Sequence, residues 1–418
     1  MRILRLNSIS GPPGGVEAYI HGVDRLLYQL GHRIETITFG TEKGTTKEDN
    51  RIFIRAPATP MKRVFNDIIP SEAEFDRLIT ELNNFDPDII HLHHFRIGFA
   101  TIRKLIMSVN APVVFTAHDA LAVCPLSTLV KPGNVICEGG VSLRCGFTGC
   151  RIHSHLPYEL ILSKAFKDLS QQRIKAFICP SYAIMKYLYS FRFRPAIHLP
   201  SFSYFEPEII RNEPRYDEIL LRKNIGYIGR LEEFKGIDDL IMAFSRFSSK
   251  HPEFNLLIAG SGPYEKKLRN LVKKLSVETK VKFLGPVSGE RKEKFYESIF
   301  CNVVPSKYWE NLSFSAQESL LRGVPTIGTR IGGIPELIRD GINGFTVPIG
   351  SPEIIAERFE TILSDSDNQI INMMKNGRTF VLKNFTPERH IKGLMDIYSK
   401  VVNGETITDC YDANPIIH

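Results

Sequence analysis

No apolar run in this sequence approaches the ~18 residues that a helix needs to cross a bilayer. The opening residues, MRILRLNSISGPPGG, pass from a short apolar strand into a glycine loop without a secretory h-region. The chain is therefore expected to begin at Met1 and to stay in the cytosol. Long basic blocks, zinc-finger spacings and RRM-type aromatic motifs are also missing, which sets nucleic acid aside as a partner. With no low-complexity tract and no internal repeat of about 20–50 residues, solenoids and fibrous arrays are excluded. Cysteine is sparse and odd in number, seven in 418 residues, and cytosolic thiols stay reduced, so a disulfide-stapled fold is not expected.

What is present is ordinary globular material, 43% hydrophobic and 24% charged. At roughly 100–200 residues per domain the length suits two or three domains. Lys and Arg number 53 against 46 Asp and Glu, and a net charge of +7 suits phosphorylated ligands or an anionic membrane surface.

Apolar strand-like runs alternate with helix-like periodic segments, the pattern of α/β units on parallel sheets. The first series is ILRLN (3–7), IETITF (34–39), DIIHLH (88–93), VVFTA (113–117) and AFICP (176–180). Between the first two runs, Val16, Tyr19, Ile20, Val23, Leu26, Leu27 and Leu30 form one apolar helical face, and Gly31 is placed to end it. A second series runs through NIGYIG (224–229), NLLIAG (255–260), VKFLG (281–285), FCNVVP (300–305), PTIGT (325–329) and GFTVP (344–348). The expected division is an α/β domain over 1–200 with a cysteine-rich insertion at 120–156, a Pro-rich polar linker at 201–220, and a second α/β domain over 221–385. A terminal segment, 386–418, carries a last helical pattern from Glu388 to Val402 that could pack on either domain. The architecture expected is two α/β domains with a cleft between them.

Three loops follow strands in the way that ligand loops of such sheets do. Gly11, Pro12, Pro13, Gly14 and Gly15 lie between the first strand and its helix, where bare backbone amides can approach a diphosphate. A tight turn without a ligand accounts for the same residues. The spacing is not GxGxxG and the second strand ends in Thr38, Phe39 and Gly40 without an acid for a ribose, so a dinucleotide site does not fit. No GxxxxGK[ST] occurs either. The second loop, Gly229 to Gly236, offers Arg230 as a bidentate fork and Lys235 as a point charge for a diphosphate, unless Glu232 and Glu233 pair with both. In the third, Glu310 and Glu318 bracket eight residues after a strand; if much of that stretch is helical, the carboxylates lie roughly 12 Å apart, near the span from a sugar ring to the ribose of a nucleotide-sugar. No convincing Ser-His-Asp or Cys-His set accompanies these groups.

These loops carry a resemblance. GYIGRLEEFKG, LIAGSGP, VKFLGPV and VPSKYWENLSFSAQESLLRGVPTIGTRIGGIPELIRDGINGFTVP resemble, in order, the donor domain of retaining GT-B glycosyltransferases of family 4. GPPGGVEAYI, DIIHLHH and FTAHD add a weaker likeness in the first half. The resemblance implies a GT-B fold, two Rossmann-like α/β domains facing each other across a cleft with segment 386–418 crossing back to the first. It also implies transfer of a sugar from a UDP- or GDP-sugar donor to a saccharide or lipid-linked acceptor. It implies Arg230 and Lys235 on the leaving diphosphate, with amides around Gly14 and Gly15. Glu310, first acid of an E-x7-E motif, would meet the transferred sugar, with Asn311, Leu312 and Ser313 beside it. Glu318 would hold the ribose and His118 of FTAHD would bond to the sugar at the reacting centre. Glu17 is either part of the diphosphate loop or a complement to the helix start. In such enzymes the sugar hydroxyl is the nucleophile, the departing phosphate takes its proton, and no catalytic metal is needed. A nucleotide-sugar epimerase and a non-catalytic sugar-nucleotide binding relative are the alternatives, the intact Arg230, Lys235, Glu310 and Glu318 speaking against the second.

Cys124, Cys137, Cys145 and Cys150 crowd one loop-like segment, with His153 and His155 after them. A structural zinc would hold such a segment together, as would burial of the thiols without a metal. Cys179, Cys301 and Cys410 stand apart. Two basic and apolar runs, Pro60 to Phe65 and Ile161 to Phe166, would suit an anionic membrane surface, or a solvated helix face.

Overall fold

The computed structural model describes residues 1–8, 14–40, 46–48, 51–55, 72–124, 126–131, 135–137, 140–147, 150, 156–203, 207–364 and 368–408. Gly11 to Pro13, the Pro60 to Phe65 run, His153, His155 and Cys410 lie outside them. The chain forms two compact units, Met1–Tyr204 with Pro387–His418, and Phe205–Thr386.

The first unit is built on strands β1 (Arg2–Ser8), β2 (Arg33–Gly40), β3 (Thr46–Glu48), β4 (Arg51–Arg55), β5 (Ile89–Leu92), β6 (Val113–Thr116), β9 (Ile174–Cys179) and β10 (Ala196–His198), with a separate small ribbon of β7 (Val130–Lys131) and β8 (Val135–Ile136). The large sheet runs β10-β9-β6-β5-β1-β2-β4-β3. Its pairs are parallel except β3 with β4. Strands covered on both faces read as continuous apolar runs, and Ile3, Leu4 and Leu6 of β1 are wholly buried, as are Ile89, Ile90 and Leu92 of β5. The helix Gly15–Gln29 buries Tyr19, Ile20, Val23 and Leu27, while Leu30, counted on the same face by spacing, is exposed at its end.

The run Ile161 to Phe166 is one stretch of an amphipathic helix, with Ile161 and Lys164 exposed. It lies in the helix Leu156–Arg173, where Leu162 and Phe166 are buried and only Ile161 points outward among its large apolar residues. Phe166 stacks on Phe95 with ring centres 3.9 Å apart, inside a cluster with Phe99, Phe115 and Phe193. Burying such a ring is worth about 1.5–3 kcal/mol. Among the described residues no helix is long and apolar enough to cross one.

The second unit has six parallel strands, β11 (Asn224–Ile228), β12 (Asn255–Ala259), β13 (Val281–Gly285), β14 (Cys301–Val304), β15 (Thr326–Thr329) and β16 (Phe345–Val347). Their order is β13-β12-β11-β14-β15-β16. The direction of winding therefore reverses between β11 and β14, and the carboxyl ends of strands flanking such a reversal open a crevice for ligands. The stretch 201–220 is not the bare linker its Pro and polar residues implied. Helices form at Pro207–Arg211 and Tyr216–Leu220, with Tyr216 and Ile219 in the second core. Buried Arg378 secures them by donating to the carbonyls of Ile209, Ile210 and Asn212 at 3.2, 2.8 and 2.9 Å.

The terminal helix Pro387–Val402 packs in the first unit, with Leu394 and Tyr398 wholly buried. Its Tyr398 hydroxyl lies 2.5 Å from His91 Nδ1, and its His390 lies 2.8 Å from the hydroxyl of Tyr19.

Candidate functional site

In the second unit the loops after β11 and β14 are drawn together by a position that admits no side chain. Gly236 has φ +69°, and a Cβ there would stand 1.9 Å from the Pro305 carbonyl oxygen. It follows a 3₁₀ turn, Glu233–Lys235, and caps the helix Ile237–Lys250. This brings Lys235 to Glu310: its Nζ donates to Oε1 and Oε2 at 2.8 and 3.2 Å, and to the Tyr308 hydroxyl at 3.0 Å. Ser306 also donates to Glu310 Oε1, at 3.2 Å. Glu310 is buried, and burial together with its charge pushes the Tyr308 hydroxyl well above the usual range, so Tyr308 stays protonated. A second tie, Lys307 to Asp238 and Asp239 at 2.8 and 3.0 Å, fixes the same loops.

Glu232 and Glu233 are thus not the partners of Lys235. Arg230 is exposed, 6.0 Å from the Phe234 ring centre, and has no carboxylate partner among the described residues. One anchored cation and one unneutralised cation face the carboxyl end of β11.

The stretch between the two acids is only part helix. It becomes helical at Phe314, capped by Ser313, whose hydroxyl accepts from the Ala316 amide at 3.3 Å. Glu310, Asn311 and Leu312 precede the helix, so the spacing expected from continuous helical rise does not apply. What holds the bend is the Gly332-Gly333 pair, which the sequence reading passed over. A Cβ on Gly332, at φ +58°, would lie 2.0 Å from the Glu310 carbonyl oxygen, and the Gly333 amide donates to that oxygen at 2.8 Å. Glu318 sits on the helix, nearly buried, taking Lys292 on Oε1 at 2.9 Å and the Tyr296 hydroxyl on Oε2 at 2.8 Å. Lys292 and Tyr296 also escaped the sequence reading, because a lysine and a tyrosine on an amphipathic helix carry no signal of their own.

In the first unit Gly14 caps the helix Gly15–Gln29, and its amide donates to Glu17 Oε2 at 2.7 Å. Glu17 therefore complements the helix start and occupies the Gly14 amide, while Gly15 is exposed. Half-buried His118 follows β6, its Nε2 2.8 Å from His93 Nδ1. Behind it lie His93, Arg5 and Asp24, all buried. Burial and the neighbouring charges hold His91, His93 and His118 well below the usual imidazole range, so all three are neutral near pH 7. Arg5, a charge in the middle of ILRLN, was the available signal for this row.

Cys124, Cys137, Cys145 and Cys150 are half-buried and not joined in disulfides. Among the described residues no group of three or more His, Cys, Asp or Glu is placed to hold a metal ion, so the four thiols are not gathered into a zinc site there. Burial pushes the Cys124 thiol up.

The sequence matches the family model of glycosyl transferases group 1 over residues 212–380 and that of glycosyltransferase family 4 over residues 13–199. The chain belongs to the family 4-like GT-B glycosyltransferases. This glycosyltransferase is 31% identical over 189 residues to D-inositol 3-phosphate glycosyltransferase of Corynebacterium efficiens, covering 44% of each chain. It is 28% identical over 204 residues to N-acetyl-α-D-glucosaminyl L-malate synthase of Bacillus anthracis, covering 48% of this chain and 52% of that one. The matched stretches thus span about half of these relatives. Among solved structures it is similar to Anabaena HepE in complex with UDP and glucose, with TM-score 0.71, 16% identity, and 96% and 100% of the two chains covered. Sucrose-phosphate synthase from Thermosynechococcus elongatus gives 0.72, 19%, 97% and 100%. At these identities the likeness is one of fold.

Proposed function

We propose that this glycosyltransferase moves a sugar, with retention of configuration, from a UDP- or GDP-sugar to a hydroxyl of a saccharide or lipid-linked saccharide. The observation that carries the reading is Lys235 seated on Glu310 beside unneutralised Arg230, at the winding reversal between β11 and β14. Arg230 forks onto the diphosphate, Lys235 lends a second positive charge, and exposed Gly15 offers an amide. Glu310 accepts from hydroxyls of the transferred sugar, Glu318 from those of the ribose, and His118 bonds to the sugar. As the bond from the anomeric carbon to the phosphate oxygen breaks, the acceptor oxygen bonds to that carbon on the same face. The acceptor's proton passes to the departing phosphate, which the cations stabilise. In this scheme the side chains supply the leaving-group charge, so no step calls on a metal. HepE was solved with UDP and with UDP-glucose, which supports uracil as the first base to try.

Thermal unfolding with UDP, GDP and ADP, each with Mg²⁺ or EDTA, tests this. A nucleotide at 100 times its Kd adds about 2.7 kcal/mol, or roughly 5–11 °C for a unit of this size. One nucleotide shifting the transition equally with Mg²⁺ and EDTA is the expected result. No shift with any of the three would overturn the donor assignment, and release of a free sugar epimer without acceptor would replace transfer by epimerisation.

A further inference from the structure

The first unit holds a row of buried polar groups, Asp24, Arg5, His93 and then His118, whose order fixes where protons can sit. Arg5 Nε donates to Asp24, and Arg5 Nη1 lies 2.7 Å from His93 Nε2. The other nitrogen of His93, Nδ1, lies 2.8 Å from His118 Nε2. His93 is kept upright by His91, stacked on it with ring centres 4.0 Å apart and itself tied to Thr116 and Tyr398 at 2.7 and 2.5 Å.

A guanidinium has donors and no acceptor. Contact with Arg5 therefore makes His93 Nε2 an acceptor. A neutral imidazole carries one ring proton, which on His93 must then be at Nδ1, donated to His118 Nε2. That leaves Nδ1 as the only nitrogen of a neutral His118 that can carry its proton. Free histidine prefers the opposite tautomer, Nε2–H. We infer that Arg5, acting through His93, is a positioning residue that holds His118 as the Nδ1–H tautomer, so that the transferred sugar meets a hydrogen-bond donor at Nδ1. Donation to the sugar rests on the sugar-binding role proposed for His118; the tautomer does not. Burial and the charge of Arg5 lower the affinity of all three rings for a second proton, so each carries one ring proton near neutral pH.

The test is the ¹⁵N spectrum of the full chain labelled at histidine, with His118 assigned from the signals lost in His118→Asn. Wild-type protein should show His118 Nδ1 protonated and Nε2 bare. Arg5→Lys, which still only donates, should keep that signature. Arg5→Met with Asp24→Leu removes both members of the ion pair, leaves no buried charge alone, and should move the proton to Nε2. The same double variant should lose about 100-fold in kcat, with the donor KM changing little. His118 protonated at Nε2 in the wild type would overturn the inference, and that spectrum needs no variant to fold. So would an Nδ1–H signature that survives in the double variant. A proton that moves while kcat holds would keep Arg5 as the determinant of the tautomer and refute the contact between His118 and sugar.

Discussion

Arg230 and Lys235 serve the same diphosphate in the proposed reaction, yet the structure gives them different second roles, and substitution should separate them. Lys235 neutralises Glu310, whose side chain is 8% exposed. Removing one partner of a buried pair leaves the other charge stranded, at a loss of about 3–5 kcal/mol. Lys235→Met should therefore lower the melting temperature by roughly 6–20 °C, at 2–4 °C per kcal/mol for a unit of this size. Adding Glu310→Gln removes the stranded charge and should restore most of that loss. Arg230 is exposed and without a carboxylate partner among the described residues, so Arg230→Ala should change stability by less than about 0.5 kcal/mol. Both substitutions should still weaken donor binding or rate by roughly 10- to 200-fold, the worth of one charge-assisted hydrogen bond. The assays are thermal unfolding without ligand and nucleotide titration of the same four proteins. Equal destabilisation by Arg230→Ala and Lys235→Met, or a double variant no more stable than Lys235→Met, would refute the reasoning. Full donor affinity in Arg230→Ala would remove the cationic clamp itself.

Glu318→Gln should weaken binding of the correct nucleotide by roughly 10- to 200-fold while leaving pyrophosphate binding nearly unchanged, since only the ribose contact is lost; calorimetry with both ligands decides it. Gly332→Ala forces a Cβ into the Glu310 carbonyl and should lower stability and donor affinity together, read by unfolding and titration. Stability should fall in acid. Burial, with Arg5's charge and against the Pro200 carbonyl, pulls His390 down to about 4. The unfolded chain takes that proton below about 6.5, so this stabilisation is complete above pH 6.5 and lost as pH drops toward 4. The loss is up to ~1.4 kcal/mol per pH unit from His390 alone. His91, His93 and His118 act in the same direction, and urea midpoints that stay flat from pH 7.5 to 5 would contradict the neutral histidines.

The strands of both series were legible because buried parallel strands leave unbroken apolar runs, and the acids and cations were legible because they sit just past those runs. Three kinds of feature stayed hidden. β10 spans three residues, too few for a period to register. Tyr216 and Ile219 anchor a helix whose neighbours are Pro and charged, so composition pointed to a linker. Lys292 and Tyr296 matter only because the fold carries them to Glu318, a contact no local pattern encodes. Arg5 was readable in principle: a charge inside a buried strand has to be answered by another element, and here Asp24 answers it.

The return of Pro387–Val402 to the first unit has a consequence for biosynthesis. Strands β1 to β10 are made first, but the helix that covers His91 and supplies Tyr398 emerges only after the whole second unit. At about 5–20 residues per second that interval is roughly 10–40 s. During it, the second unit, continuous in sequence, can fold to completion while the first waits with one apolar face and its buried histidines open to water. A ribosome paused once the second unit has emerged, and before Pro387–Val402 has, would hold a chain whose later half is finished and whose earlier half is not.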